Sequence, residues 1–264
     1  MIKLTLPPRP DFLTDELVNQ LTEKYKADKE ARVWDIKILK EALLKLSNNK
    51  CAFSEVVLNE EGKHMQIEHF YPKSKYPDKV MEWGNLLPCL NVCNSRKRDL
   101  DPSRHPLVNP FFDNPKDFFY IENGRINALD SKNKKAVNTL EAYDLNNPGH
   151  LRKPRLCSVN KVQDILVLIK DAFPKNPLIG KNRLKAILRD CGRTSEYSAA
   201  KSTAVLEDEN YRRLKRILTE RNEWDEDLKI LEEDLIFCSL PKPQNLYKSN
   251  VYELQLKRHR PKEQ

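Results

Sequence analysis

Apolar positions recur every three or four residues over most of this chain and alternate only in short stretches. Val33, Ile36, Leu39, Leu43 and Leu46 share one face and predict a helix over 28–46, ended by Asn48-Asn49. Another helix is expected over 11–26, preceded by an extended arm with Pro7, Pro8 and Pro10 that either ties down a neighbour or hangs loose. Over 51–58 and 64–70 the pattern shortens to partly alternating runs around Glu60-Glu61-Gly62, which predicts a two-stranded ribbon with a turn. A short helix over 93–99 comes next. Runs at 118–121 and 125–129 then flank Glu122-Asn123-Gly124, and Asn-Gly is a strong hairpin signal.

Beyond residue 131 the periodicity is helical almost throughout, with segments expected at 133–143, 159–172, 178–190, 196–221 and 225–236. Pro148, Pro154, Pro174 and Pro177 punctuate the early part, and the proline-containing stretch 239–245 ends the last helix. These elements predict an α+β protein. Its expected divisions are an N-terminal arm with helices (1–50), a mixed core with a β-hairpin appendage (51–130) and a helical region (131–264).

Composition sharpens the choice of partner. The 47 Lys and Arg exceed the 39 Asp and Glu, a net charge of +8 that suits an anionic partner. The excess is uneven: residues 51–100 hold seven cations and seven acids, while residues 131–200 hold fourteen against six. A DNA-binding face is therefore expected to draw partly on the C-terminal half, where the same charge would equally suit an acidic protein surface. Glu207-Asp208-Glu209 and the acidic block 220–234 read as solvated helix faces. No apolar run approaches the roughly 18 residues of a membrane span, and the N-terminus lacks a signal-peptide core, so a cytoplasmic protein with no membrane partner is expected. Six scattered cysteines favour reduced thiols or a metal site over a disulfide framework.

The chemistry concentrates in residues 67–97. Hydrolysis of a phosphodiester needs an activated water and a means of neutralising charge on the phosphate and the leaving oxygen. Glu68 and His69 are adjacent at a strand end and point to opposite sides, so one can hold a divalent cation while the other faces the water. Asn94 adds an oxygen donor, consistent with a hard ion such as Mg²⁺ or Mn²⁺.

This segment resembles the HNH endonuclease motif, in which a ribbon and a helix clamp one divalent cation in a ββα-metal core; the N-terminal and C-terminal helices would flank it. The resemblance makes Glu68 and Asn94 the metal ligands, His69 the general base, Asn85 the residue that braces the loop beneath the base, and Lys97 the cation approaching the scissile phosphate. Arg96 and Arg98 are further phosphate contacts, or a cationic cluster favoured at a helix C-terminus. Many members also carry a zinc hook of paired cysteines. Here Cys51 is followed by Ser54 in place of its partner thiol, and Cys89 and Cys93 are separated by three residues, so ordinary packing is expected rather than structural Zn²⁺.

The sequences Glu68-His69-Phe70-Tyr71-Pro72-Lys73, Trp83-Gly84-Asn85-Leu86-Leu87-Pro88, Asn109-Pro110-Phe111-Phe112 and Leu145-Asn146-Asn147-Pro148 resemble the HNH proteins found with retrons and in the Septu anti-phage system. That likeness implies a DNA-cleaving defence nuclease in complex with a PtuA-like ATPase subunit. RNA cleavage, or an idle HNH scaffold that only binds its partner, are the competing readings. His64 could serve as a second ligand or substrate contact but reads more simply as an exposed ribbon side chain, His105 falls on no motif position, and Trp34 and Trp83 read as packing anchors.

Overall fold

The computed structural model describes residues 1–60 and 63–243; Glu61-Gly62 of the expected turn, and residues 244–245 of the expected helix stop, lie outside the described residues. Two helices open the chain, α1 (Asp15–Ala27) and α2 (Lys37–Leu46). The Thr14 side chain accepts from Leu17 N–H and starts α1 four residues later than its apolar pattern suggested. The second departure is larger. Residues 28–36 are not helical: Asp28 ends α1 and its carboxylate takes the Glu30 N–H (2.9 Å), while Ile36 N–H turns back to the Trp34 carbonyl (2.8 Å). Local side-chain bonding outcompetes the helix there, and Val33 reaches the core from a loop.

Strand β1 (Met65–His69) pairs antiparallel with β2 (Leu86–Leu90), and α3 (Asn91–Lys97) follows β2 directly. The expected partner strand over 51–58 is instead a tight turn. Its backbone closes on itself through Cys51 N–H to Val56 O (2.8 Å), with Glu55 at φ 64°, and it docks on the ribbon through Ala52 N–H to Pro88 O (2.9 Å). Nearly every side chain of the turn is buried, which accounts for its apolar run without any strand.

The hairpin forms as read, β3 (Phe119–Glu122) with β4 (Arg125–Ala128), and Asn123 and Gly124 both take positive φ. Six further helices occupy the five expected segments in order: α4 (Lys134–Ala142), α5 (Lys153–Ala172), α6 (Pro177–Arg189), α7 (Ser198–Glu207), α8 (Glu209–Glu220) and α9 (Glu226–Cys238). Pro154 sits in the first turn of α5, where its missing N–H costs nothing, so that helix starts earlier than expected. The single helix expected over 196–221 is two, because Asp208 caps α8 by accepting from Asn210 and Tyr211 N–H. Among the described residues no helix is long and apolar enough to cross a membrane.

Three hydrophobic clusters hold these elements. One takes residues from all three expected divisions, among them Met1, Leu4, Phe53, Cys89, Ile121, Tyr143 and Leu240. The N-terminal arm is thus tied down: Leu4 N–H bonds Pro110 O (2.9 Å), and the Met1 ammonium lies 2.5 Å from buried Glu55 Oε1. A second cluster lies within α5 to α9, and a third joins α1 and α2 to the ribbon through Ile67, Val80 and Leu86. Arg155, fully buried, staples hairpin to helices by donating to Gly124 O and Leu145 O, both at 3.0 Å.

Candidate functional site

The register decides which way each polar side chain of the ribbon points. Ile67 and His69 share a face with Pro88 and Leu86 and look toward the N-terminal helices; Gln66 and Glu68 share the other with Cys89 and Leu87. Both sets border one cleft of about 500 Å³, whose lining includes Glu68, His69, Asn94, Trp34, Lys73 and Arg98. The sequence-predicted Glu68, His69 and Asn94 therefore do come together.

His69 is almost wholly buried, and its Nε2 lies 3.0 Å from the Val80 carbonyl oxygen. A carbonyl only accepts, so Nε2 carries the hydrogen and Nδ1 keeps its lone pair. Burial drives the imidazole pKa down to about 3, with the charges of Lys73 and Lys97 adding to the effect against the Val80 bond, so the ring is neutral at physiological pH. Trp34 meets it edge to face, centroids 5.0 Å apart.

Asn85 sits behind this arrangement, buried in the turn before β2. Its amide donates to Tyr71 O (3.1 Å) and Lys79 O (2.9 Å), and its Oδ1 accepts from Tyr71 N–H (2.7 Å). One side chain thus clasps both ends of the loop that presents the Val80 carbonyl to His69.

Glu68 is buried beside Lys97, whose Nζ stands 2.5 Å from Oε1 and also donates to His69 O (2.6 Å) and Phe70 O (2.8 Å). Desolvation raises the Glu68 carboxyl to about 7 despite that cation. The ionic contact leaves Oε1 without a well-directed hydrogen bond. Lys97 is therefore not the open, phosphate-facing cation expected of it; the backbone carbonyls and Glu68 enclose its ammonium. Asn94, on α3, donates to Gln66 Oε1 (2.7 Å), a neighbour that sequence reasoning missed although it lies two residues before Glu68 on the same strand face. Besides the Oε1 paired with Lys97, Glu68 and the side-chain amides of Gln66 and Asn94 border the same cleft, oxygen-bearing groups of the kind a hard divalent ion takes.

The rim was also only partly foreseen. Arg32, Trp34 and Asp35 come from the loop that replaced the expected helix, and Asp35 pairs with both Arg32 (3.1 Å) and Lys40. Lys73 lies over the Trp34 ring, 4.8 Å from its centroid. Arg98 borders the cleft from a backbone at φ 51° and ψ −127°, a conformation that costs a side-chain-bearing residue on the order of 1–3 kcal/mol. Arg96 faces elsewhere, its Nε 3.3 Å from Asp144. His64 and His105 are exposed and do not border the cleft.

No family model matches the chain. It is 32% identical over 235 residues to the Septu protein PtuB of Bacillus thuringiensis, an alignment covering 85% of this chain and 90% of that relative. The chain belongs to the PtuB family.

In this PtuB-family chain the cysteines form a separate cluster beneath α3. Cys51, Cys89 and Cys93 are all buried and hydrogen-bond to one another, and Cys51 Sγ also accepts from Ser54 N–H (3.4 Å). Burial pushes the Cys89 thiol well up, its contact with Cys51 does the same to Cys93, and hydrogen bonds from both neighbours hold Cys51 well down against burial. Two thiols thus donate to a third. Ser54 Oγ, in the place of a fourth thiol, is a poor zinc donor, and among the described residues no group of three or more His, Cys, Asp or Glu is arranged to hold a metal ion.

Proposed function

We propose that this chain is an HNH endonuclease that hydrolyses DNA phosphodiester bonds in Septu anti-phage defence, acting with a PtuA-like ATPase subunit. The observation that carries the reading is the state of His69: neutral, anchored at Nε2 by the Val80 carbonyl, and next to the oxygen donors Glu68 and Asn94 in one cleft. Membership of the PtuB family supports the defence role and the ATPase partner.

In this mechanism Nδ1 of His69 accepts a proton from the attacking water, and the imidazolium so formed is steadied by the Val80 carbonyl at Nε2. Asn85 is a positioning residue, acting through the loop it clasps. Glu68 and Asn94 would hold Mg²⁺ or Mn²⁺, with Gln66 orienting the Asn94 amide. When bound, that ion supplies the charge neutralisation that the phosphate and leaving oxygen require. Lys97 keeps the Glu68 carboxylate in place and compensates its charge before an ion arrives.

The test is digestion of supercoiled plasmid DNA and matched RNA by the chain with its ATPase partner, with and without a chelator. Cleavage of DNA that stops on chelation is the expected result. Preferential cleavage of RNA would favour the competing substrate.

A further inference from the structure

The inward turn of Lys97 leaves the proposed site without its expected phosphate contact. Two lysines lie close enough for their charges to act on both Glu68 and His69, namely Lys97 and Lys73. The first is enclosed. The second stands half-exposed on the cleft wall, and among the described residues no carboxylate or carbonyl takes its ammonium; only the Trp34 ring faces it, at 4.8 Å.

Arg98 offers a second cation of the same kind. It is exposed on the cleft border, its Nε is spent on the Ser95 carbonyl (3.3 Å), and no carboxylate among the described residues pairs with its remaining nitrogens. The other rim cations, Arg32 and Lys40, share an ion pair with Asp35, and Arg96, facing elsewhere, pairs with Asp144. Two unpaired cations therefore converge on one cleft in a stretch whose overall charge is balanced.

We propose that Lys73, steadied over Trp34, contacts the scissile phosphate of bound DNA in this cleft, and that Arg98 takes a neighbouring phosphate of the same strand. This rests on the nuclease reading for the identity of the substrate. A flexible ammonium suits a phosphate whose geometry changes during reaction, while the planar guanidinium suits a fixed one. Trp34 holds Lys73 by cation–π attraction and keeps its stem against an apolar wall.

The experiment is a fluorescence-anisotropy titration of a short labelled DNA duplex with the full chain over a range of salt concentrations. Each phosphate contact contributes about 0.9 to the slope of log affinity against log salt, so Lys73→Gln and Arg98→Gln should each flatten that slope by about one contact and weaken binding several-fold. Trp34→Ala should weaken binding in the same direction and Trp34→Phe restore it. Arg96→Gln should bind as the parent does. Circular dichroism and thermal melts establish that each variant is folded. Superimposable titrations for the parent and Lys73→Gln at every salt concentration would overturn the proposal, as would tighter binding by Trp34→Ala. A matched RNA bound more tightly through Lys73 would overturn DNA as the ligand. DNA binding that depends on Lys73 without cleavage would refute the nuclease reading alone. Cleavage that needs His69 and ignores Lys73 would refute this inference alone.

Discussion

The imidazole of His69 gives its Nε2 hydrogen to the carbonyl oxygen of Val80, 3.0 Å away. That single bond fixes the tautomer and turns the other nitrogen into an acceptor. It depends on a loop whose two ends are joined by the side chain of Asn85.

Asn85→Ala removes three hydrogen bonds in a buried turn. At roughly 1 kcal/mol net for each, the loss of stability is about 3 kcal/mol. Activity should fall further than stability explains, because the Val80 carbonyl loses its brace. Urea denaturation and plasmid nicking under conditions where the variant is folded separate the two effects.

Lys97→Met leaves Glu68 buried without its cation. Breaking one side of a buried ion pair costs about 3–5 kcal/mol, so the single variant is strongly destabilised at pH 8. The double variant Lys97→Met with Glu68→Gln should recover most of that loss. A phosphate-facing Lys97 would instead show a folding-neutral single variant in equilibrium unfolding.

Glu68 makes the ion-free protein sensitive to alkali. Its pKa is raised on folding, from an ordinary 4.5 to about 7, mainly by burial. The folded state therefore binds the proton more tightly than the unfolded one. This contribution is complete below about pH 4.5 and is lost as pH rises through 7. Thermal melts with a chelator at pH 5 and pH 8 should show the parent losing more stability than Glu68→Gln over that interval. Adding Mg²⁺ at pH 8 should restore stability to the parent and not to the variant.

Tyr143 carries a buried hydroxyl with no hydrogen-bond partner among the described residues, while its ring stacks on Phe53 with centroids 3.7 Å apart. Tyr143→Phe keeps the stack and deletes the unsatisfied group. Melting should show a gain of about 1 kcal/mol, opposite in sign to most core substitutions.

Much of this could be read from residue order. The Asn123-Gly124 hairpin and the helical C-terminal region follow from local patterns, while the meeting of Glu68, His69 and Asn94 in one cleft is what the resemblance to the HNH motif implies. The failures share a cause. Residues 28–36 have a helical apolar period, yet Asp28 captures a nearby N–H and Trp34 packs against His69, a contact no local window contains. The turn at 51–58 is buried throughout because it sits beneath β2, and so mimics a strand. Lys97 and Arg98 are neighbours of like charge, and only the geometry at the end of α3 decides which turns inward. Charge counting over 51–100 likewise hid the rim, because Arg32, Asp35 and Lys40 join it from outside that window, while Lys73 and Arg98 within it stay without an acidic partner among the described residues.

The most direct measurement is the rate of plasmid cleavage by His69→Ala, with Mg²⁺ and the ATPase partner present and the variant shown to be folded. Loss of a general base predicts a fall of about 10²- to 10⁴-fold in rate with DNA binding retained. Cleavage at the parental rate would contradict the assignment of His69 and the mechanism built on it.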